Sequence, residues 1–510
     1  MTLEPAPMVT AVWGETMAGE MGQKDSELIK MYPEAVGATA ACHRSHRPPP
    51  CGSAQLPDWE ISCPSTVILV ILGQGRLFGF IPPLRDYILG QWRTTRFSGP
   101  LPRLLSISLS SSECLFTPER PRTRSDSHCR YWGKRDPSLN LPTNSSLSVT
   151  LSQRSLRTLT TASCAATYPA ADELTLNGKP QEIQSSKRTL ACIDNLRTLR
   201  RSLENADTSL PKLSTLPLRI VSENNFPTAA GLASSAAGFA ALVRAVADLY
   251  QLPQSPKDLS RIARQGSGSA CRSLMGGYVA WRAGGLADGS DSLAEEVAPA
   301  SHWPEMRAAV LVVSADKKDV PSTEGMQTTV ATSSLFESRA KTIVPERMAA
   351  IETAIQNRDF HAFAEISMRD SNGFHATCLD SWPPIFYMND VSRAAVRLVH
   401  DINHIVGRTV CAYTFDAGPN AVIYYLEQDN ELVAGTIKAI IGNNSVGWEG
   451  PFYEPLKNVT APGVALDQLD GRTVSVLRDG VSRVILTGVG EGPISVNEHL
   501  ISETGDILSH

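Results

Sequence analysis

Apolar residues follow two periods along this chain. Phe239, Leu242, Val243, Val246 and Leu249 recur at helical spacing in FAALVRAVADLY (239–250), which predicts a helix opened by Ser234 and Ser235. RTLACIDNLRTLRRSLE (Arg188–Glu204) and PERMAAIETAIQNR (Pro345–Arg358) predict two more helices, the second starting on a proline at a tolerated position. SLSVTLS (Ser146–Ser152) alternates as a strand, and LRIVSE (Leu218–Glu223) reads as a strand leading into a small-residue loop. AAVLVVS (Ala308–Ser314) reads as a buried strand, while TVCAYTF (Thr409–Phe415) and AVIYYL (Ala421–Leu426) read as strands joined by the turn DAGPN. Strands and helices mix without strict βαβ alternation, so the expected class is α+β.

Residues 1–129 break that pattern. They hold 14 of the chain's 34 prolines, a Ser-rich stretch at Ser106–Glu113 and the Arg-rich ERPRTRSDSHCR (Glu119–Arg130), with no sustained period. Such composition buries too little apolar surface to offset the entropy of ordering, so the expectation is an irregular or disordered segment. Acidic Glu4, Glu15, Glu20, Asp25 and Glu27 disagree with a transit peptide.

Bulk numbers then exclude several classes. With 510 residues, 42% hydrophobic and 19% charged, the chain can bury a large core. A formal net charge of −5 leaves no general footprint for nucleic acid. The run TVILVILG (Thr66–Gly73) is far shorter than the ~20 residues that span a bilayer. Ten cysteines without CxxC pairing suggest reduced thiols in a cytoplasmic enzyme. Ten histidines form no HExxH, so no catalytic metal site is expected.

Candidate chemistry lies in five places, one of them YWGKRDPSLNLPTNSS (Tyr131–Ser146), which packs Lys134 and Arg135 beside aromatic and hydroxyl groups. PTAAGLASSAAG (Pro227–Gly238) clears side chains from a bend ahead of a helix start, where backbone N–H groups and the helix dipole favour an anion. It matches neither GxGxxG nor GxxxxGK[ST], and a plain bend before a core helix has the same spacing. GSGSACRS (Gly266–Ser273) sets hydroxyls beside Arg272 on a turn, a donor set that suits a carboxylate or phosphate; a solvated arginine is its bland reading. Asp416, between two apolar strands, is either a partly desolvated base or the cap of an Asx-turn. ADKKDVPSTEG (Ala315–Gly325) reads as a polar loop that either faces phosphates or is merely solvated.

From Tyr131 to His510 the chain closely resembles the mevalonate diphosphate decarboxylase family of the GHMP kinase superfamily. YWGKRDPSLNLPTNSSLSVTLSQ, NNFPTAAGLASSAAGFAAL, RIARQGSGSACRSLMGGYVAW, MRDSNGFHATCLDSWPPIFYMND and AYTFDAGPNAV carry the resemblance. It implies two α+β domains, 130–303 and 304–510, with a deep cleft between them, and a homodimer. It also implies ATP-dependent decarboxylation of (R)-5-diphosphomevalonate with Mg2+, giving isopentenyl diphosphate, ADP, phosphate and CO2.

By resemblance Asp416 orients or deprotonates the substrate's 3-hydroxyl, Arg272 holds its carboxylate, and Ser235 positions ATP phosphates and the reacting hydroxyl. Tyr131, Trp132, Gly133, Lys134, Arg188, Ser267, Gly268, Ser269, Ala270, Cys271, Ser322 and Thr323 are implied substrate contacts. Pro227, Ala230, Gly231, Leu232 and Ser234 are implied for ATP, with Lys317 and Lys318 as additional phosphate contacts.

The match breaks just before Tyr131. The family has a strand of the form TAPVNIAxxKYWGK, whereas this chain has RSDSHCR (Arg124–Arg130), with Arg130 where a lysine is expected. The expectation is a missing first strand, an exposed sheet edge, weak turnover, and an upstream segment partly translated from non-coding sequence. Two rival readings are a small-molecule kinase that does not decarboxylate and a catalytically silent ligand-binding homologue.

Overall fold

The computed structural model describes residues 67–68, 70–71, 103–107, 123–225, 234–313, 319–442, 446–448, 450–459, 463–496, 498–502 and 504–508. For the strands before Cys129 only the backbone is described. The expected disorder of the remaining N-terminal residues, and the roles expected of Pro227, Ala230, Gly231, Leu232, Lys317 and Lys318, lie outside the described residues. Trp59–His510 forms one compact unit.

In chain order the strands that position the site are β1 (Arg103–Ile107), β2 (Thr123–Cys129), β3 (Ser146–Ser152), β4 (Thr158–Cys164), β5 (Leu218–Asn224), β6 (Tyr278–Trp281) and β7 (Ala294–Ala298). They continue with β8 (Met306–Val312), β9 (Cys411–Phe415), β10 (Ala421–Leu426) and β11 (Arg483–Gly488). The helices are α1 (Lys187–Ala206), α2 (Ser234–Leu249), α3 (Pro256–Gly266), α4 (Ser322–Thr332), α5 (Val344–Asn357), α6 (Phe360–Leu379) and α7 (Asp390–Val406).

An antiparallel sheet runs β7-β6-β3-β2, and a second runs β9-β10-β8-β11. In a third and larger sheet, β5 and β1 flank β4 antiparallel. The α+β class is therefore as expected from the mixed periodicity.

The first two sheets share one core. Leu147, Val149 and Tyr278 meet Val310, Tyr424 and Ile485, with Ile351 of α5 and Phe363 of α6 between them. Burying each such side chain contributes roughly 1.5–3 kcal/mol. Main-chain bonds stitch the sheets together: Gly490 N–H donates to Thr150 O at 2.9 Å, and Gly277 N–H donates to Gly490 O at 2.8 Å.

Two expectations need correction. Thr123–Cys129, read as irregular chain, is strand β2, paired antiparallel with β3 and irregular only between Ser127 and Cys129. An edge ladder is made by backbone groups, so a polar sequence can supply the strand whose absence was expected. Ser322–Gly325, read as the end of a polar loop, is instead the first turn of α4, which buries Gly325, Met326 and Thr329.

The alternation of β3 also has a different cause from the usual one. All seven residues are buried. Leu147, Val149 and Leu151 enter the core, while Ser146 and Ser148 turn their hydroxyls towards Arg272.

Candidate active site

Asp416 follows β9 directly, in a bend where Gly418 N–H donates to Asp416 O at 2.7 Å. Arg130, at the end of β2, donates through Nη1 to Asp416 Oδ1 at 3.0 Å and through Nη2 to Thr414 Oγ1 at 3.3 Å. The arginine side chain is 8% exposed and the aspartate 29%, so the pair is poorly screened yet open on the carboxylate side.

Arg272 sits in the 3-10 helix Gly268–Leu274, which continues from the end of α3. The solvated reading of this arginine fails: it is 1% exposed. Its Nε donates to Ser148 Oγ at 3.0 Å and its Nη1 to Ser146 Oγ at 2.5 Å. The guanidinium lies 6.0 Å from the Tyr131 ring centroid and 5.9 Å from that of Trp281. Burial pulls its pKa below the ordinary arginine value, and Asp416 opposes that shift while Arg130 reinforces it. Arginine stays charged regardless. Asp416, Arg130 and Arg272 thus share one electrostatic environment.

Tyr131 is within electrostatic reach of both Arg272 and Asp416. Burial pushes its hydroxyl up to about 12, opposed by Arg272 and by a hydrogen bond with Ser269 and reinforced by Asp416. Gly268 is needed because a Cβ there would come within 2.7 Å of the Tyr131 hydroxyl oxygen. Ser267 and Ser269 are half-buried, whereas Ala270 and Cys271 are enclosed, leaving mainly backbone to offer a ligand. Burial lifts the Cys271 thiol to about 12, which makes it a poor nucleophile.

A second cluster forms at the N-terminus of α4. Lys134 Nζ donates to Thr323 Oγ1 at 2.9 Å, and Arg188 Nη2, from the first turn of α1, donates to the same oxygen at 3.3 Å. Burial lowers Lys134 to about 8. Two cations on one hydroxyl at a helix N-terminus constitute an anion cradle. Ser322 is buried beside Thr323.

Trp132 docks the intervening backbone onto α4, its Nε1–H donating to Thr329 Oγ1 at 2.9 Å. Gly133 has φ +97°, and a Cβ there would come within 2.6 Å of Val330 Cγ2. No other residue fits that turn without strain.

Ser234 and Ser235 open α2. Ser235 is half-buried, and the loop before them lies outside the described residues.

The relatives of this chain decide its family. The family model described as Diphosphomevalonate decarboxylase-like N-terminal domain matches residues 127–294, and the Mevalonate 5-diphosphate decarboxylase C-terminal domain matches 308–496. The chain is 84% identical over 380 residues to diphosphomevalonate decarboxylase mvd1 of Aspergillus fumigatus, covering 74% of this chain and 94% of that protein. The chain belongs to the diphosphomevalonate decarboxylase family.

A solved mevalonate 5-diphosphate decarboxylase is similar to this family member with a TM-score of 0.70 at 51% identity, covering 80% of this chain and 100% of that one. The structure titled MDDEF in complex with MVAPP, AMPPCP and magnesium is similar with a TM-score of 0.53 at 30% identity, covering 73% of this chain and 96% of that one.

Within this decarboxylase-family chain, sequence reasoning missed Ser146, Ser148, Thr414 and Asn144, whose Nδ2 donates to Arg130 O at 3.0 Å, as site neighbours, and saw Arg130 only as a substitution. The available signal for the serines was that SLSVTLS places a hydroxyl at alternate positions on one strand face.

Proposed function

We propose that this protein converts (R)-5-diphosphomevalonate and ATP to isopentenyl diphosphate, ADP, phosphate and CO2. The observation that carries the reading is the enclosed Arg272, seated on two serine hydroxyls within electrostatic reach of Asp416. A desolvated guanidinium holds a carboxylate in fixed orientation, and a carboxylate close by serves a neighbouring hydroxyl.

Asp416 accepts or orients the proton of the tertiary 3-hydroxyl as that oxygen takes the γ-phosphoryl group of ATP. When the phosphate leaves, C3 becomes electron-poor, and the bond to the carboxylate breaks to release CO2 and form the alkene. Arg272 keeps the departing carboxylate aligned with C3. Lys134, Arg188 and Thr323 hold the diphosphate, with Trp132 and Gly133 shaping that end and Tyr131 joining it to the acid end beside Arg272. Ser267 to Cys271 line the acid end. Ser235 and the small-residue loop, including Pro227, Ala230, Gly231, Leu232 and Ser234, take the ATP phosphates with Lys317 and Lys318.

Among the described residues no group of His, Cys, Asp and Glu gathers to hold a metal. Mg2+ would therefore be carried on the nucleotide's phosphates, where it neutralises charge. The two halves divide at about 303/304, a reading supported by family models that end at 294 and start again at 308. We read the protein as a cytoplasmic homodimer; the buried cysteines among the described residues form no disulfide, which supports a reducing compartment.

The test is stoichiometry. Incubation with diphosphomevalonate, ATP and Mg2+ should release CO2 and phosphate in equal amounts with ADP. ADP without CO2 would assign a kinase instead, and substrate binding without either product would assign a silent homologue.

A further inference from the structure

Asp370 of α6 is 0% exposed. Its carboxylate is shared by three donors from separate parts of the chain. Oδ2 accepts the main-chain N–H of Arg130 at 2.9 Å and Arg339 Nη2 at 2.9 Å, and Oδ1 accepts Arg347 Nη1 at 3.2 Å. Burial alone would raise this carboxyl; Arg339, the Arg130 N–H and Arg347 together outweigh it and hold the group below its ordinary value. Removing one partner of such a buried network is far costlier than removing a surface ion pair.

The other main-chain group of Arg130 is fastened as well. Its carbonyl accepts Asn144 Nδ2 at 3.0 Å and Arg339 Nη2 at 3.3 Å. Asp370 and Arg339 therefore grip both faces of one peptide segment, and the side chain leaving that segment is the one that meets Asp416. Helix α6 also touches the strand that bears Asp416, because Phe415 N–H donates to Ser371 Oγ at 3.1 Å.

We propose that Asp370 is a positioning residue for the decarboxylation: it fixes the main chain of Arg130 and so seats that guanidinium on Asp416. The inference rests on the functional reading above and adds a residue that never meets the substrate. Among the described residues, the charged and titratable groups within electrostatic reach of Asp416 include Arg130, Arg272, Tyr131, His375 and Tyr387. Burial, then the charge of Arg130, lowers His375 to about 3, so it stays neutral near pH 7. Arg130 is the one of these whose main chain Asp370 holds directly.

The experiment is a double-mutant cycle on the full chain. Asp370→Asn should lower kcat by about 10²-fold, the cost of a misplacement of about 1 Å, with KM for ATP within about threefold of wild type. In an Arg130→Ala background the same change should cost less than about threefold, because coupled residues are non-additive. Arg347→Gln touches the same carboxylate but not Arg130, and should leave kcat within about twofold while lowering Tm.

If Asp370→Asn gives no folded protein by calorimetry, Arg339→Lys takes its place. It keeps a charge for Asp370 but loses the planar guanidinium whose Nη1 meets Asp370 O and so holds Nη2 against both Asp370 Oδ2 and Arg130 O, and should lower kcat about tenfold, again only when Arg130 is present. An additive loss in the Arg130→Ala background, or an Arg347→Gln loss equal to that of Asp370→Asn, overturns the proposal. Wild type is scored first for CO2 release. Failure of the functional reading shows there, whereas failure of the positioning role shows as additivity in an active enzyme.

Discussion

On the proposed reading, the two ends of the site hold anions by opposite means. At the Asp416 end, a guanidinium enclosed by two serines and two aromatic rings supplies direction. At the α4 end, an ammonium of lowered pKa and an arginine converge on one hydroxyl and supply charge. Breaking a bond at C3 demands orientation, whereas a diphosphate far from the reacting atoms demands only to be held. Substitutions at the first end should therefore fall on kcat and at the second on KM, as expected when an interaction is made chiefly in the transition state or equally in both states.

The largest effect should come from Asp416→Ala. Loss of proton acceptance should lower kcat by about 10³-fold or more, with substrate affinity within about tenfold by calorimetry. Equal loss of affinity would show that Asp416 binds and does not react, and the contrast between the ends would disappear. Arg272→Lys comes next. The charge survives, but one ammonium cannot occupy both the Ser146 and Ser148 positions, so kcat should fall by about 10²-fold with little change in KM.

Much of this was legible in the residues, unevenly and for physical reasons. The β3 strand and helices α1, α2 and α5 follow directly from periodicity, because the apolar positions of each face a core, one shared by β3 and α5 and another by α1 and α2. The chemistry of Arg272 and Asp416 was legible as residue types, but their shared environment depends on long-range packing that no local spacing encodes. The strand Thr123–Cys129 was not legible at all. Its ladder is made of backbone groups, and a polar edge strand looks like a linker when read by side chains alone. Helix α6 was passed over because its buried face carries Ser367, Asp370, Ser371 and His375 among the apolar residues, which blurs the hydrophobic stripe.

At the α4 end the pH dependence is the sharper test. On the proposed reading, binding a diphosphate needs Lys134 protonated, and burial lowers that group to about 8. kcat/KM should then fall by up to about tenfold per pH unit above pH 8, while kcat at saturating substrate changes less. Lys134→Arg should flatten that limb, because a guanidinium keeps its proton. The effect on stability has the opposite sense. The unfolded lysine keeps its proton to about 10.4, so between about 8 and 10 the unfolded chain binds more protons and stability rises with pH. A limb that stays in place in Lys134→Arg would assign the ionisation to another group.

The smallest effect, and the one that probes whether the ends are separable, belongs to Trp132→Phe. The change deletes the indole donor to Thr329 but leaves a ring to pack near Phe374 and Tyr387, whose centroids lie 4.7 and 5.7 Å away. Thr329 Oγ1 keeps its partner Ser381 Oγ at 2.7 Å, so no buried hydroxyl is stranded. The cost should be about 1 kcal/mol, read as a fall of a few degrees in Tm, with kcat within about threefold. Helix α4 would then be a platform for the diphosphate alone. A tenfold fall in kcat would instead mean that movement of α4 reaches Tyr131 and the acid end through the three-residue span Trp132–Lys134, and the two grips would have to be treated as one device.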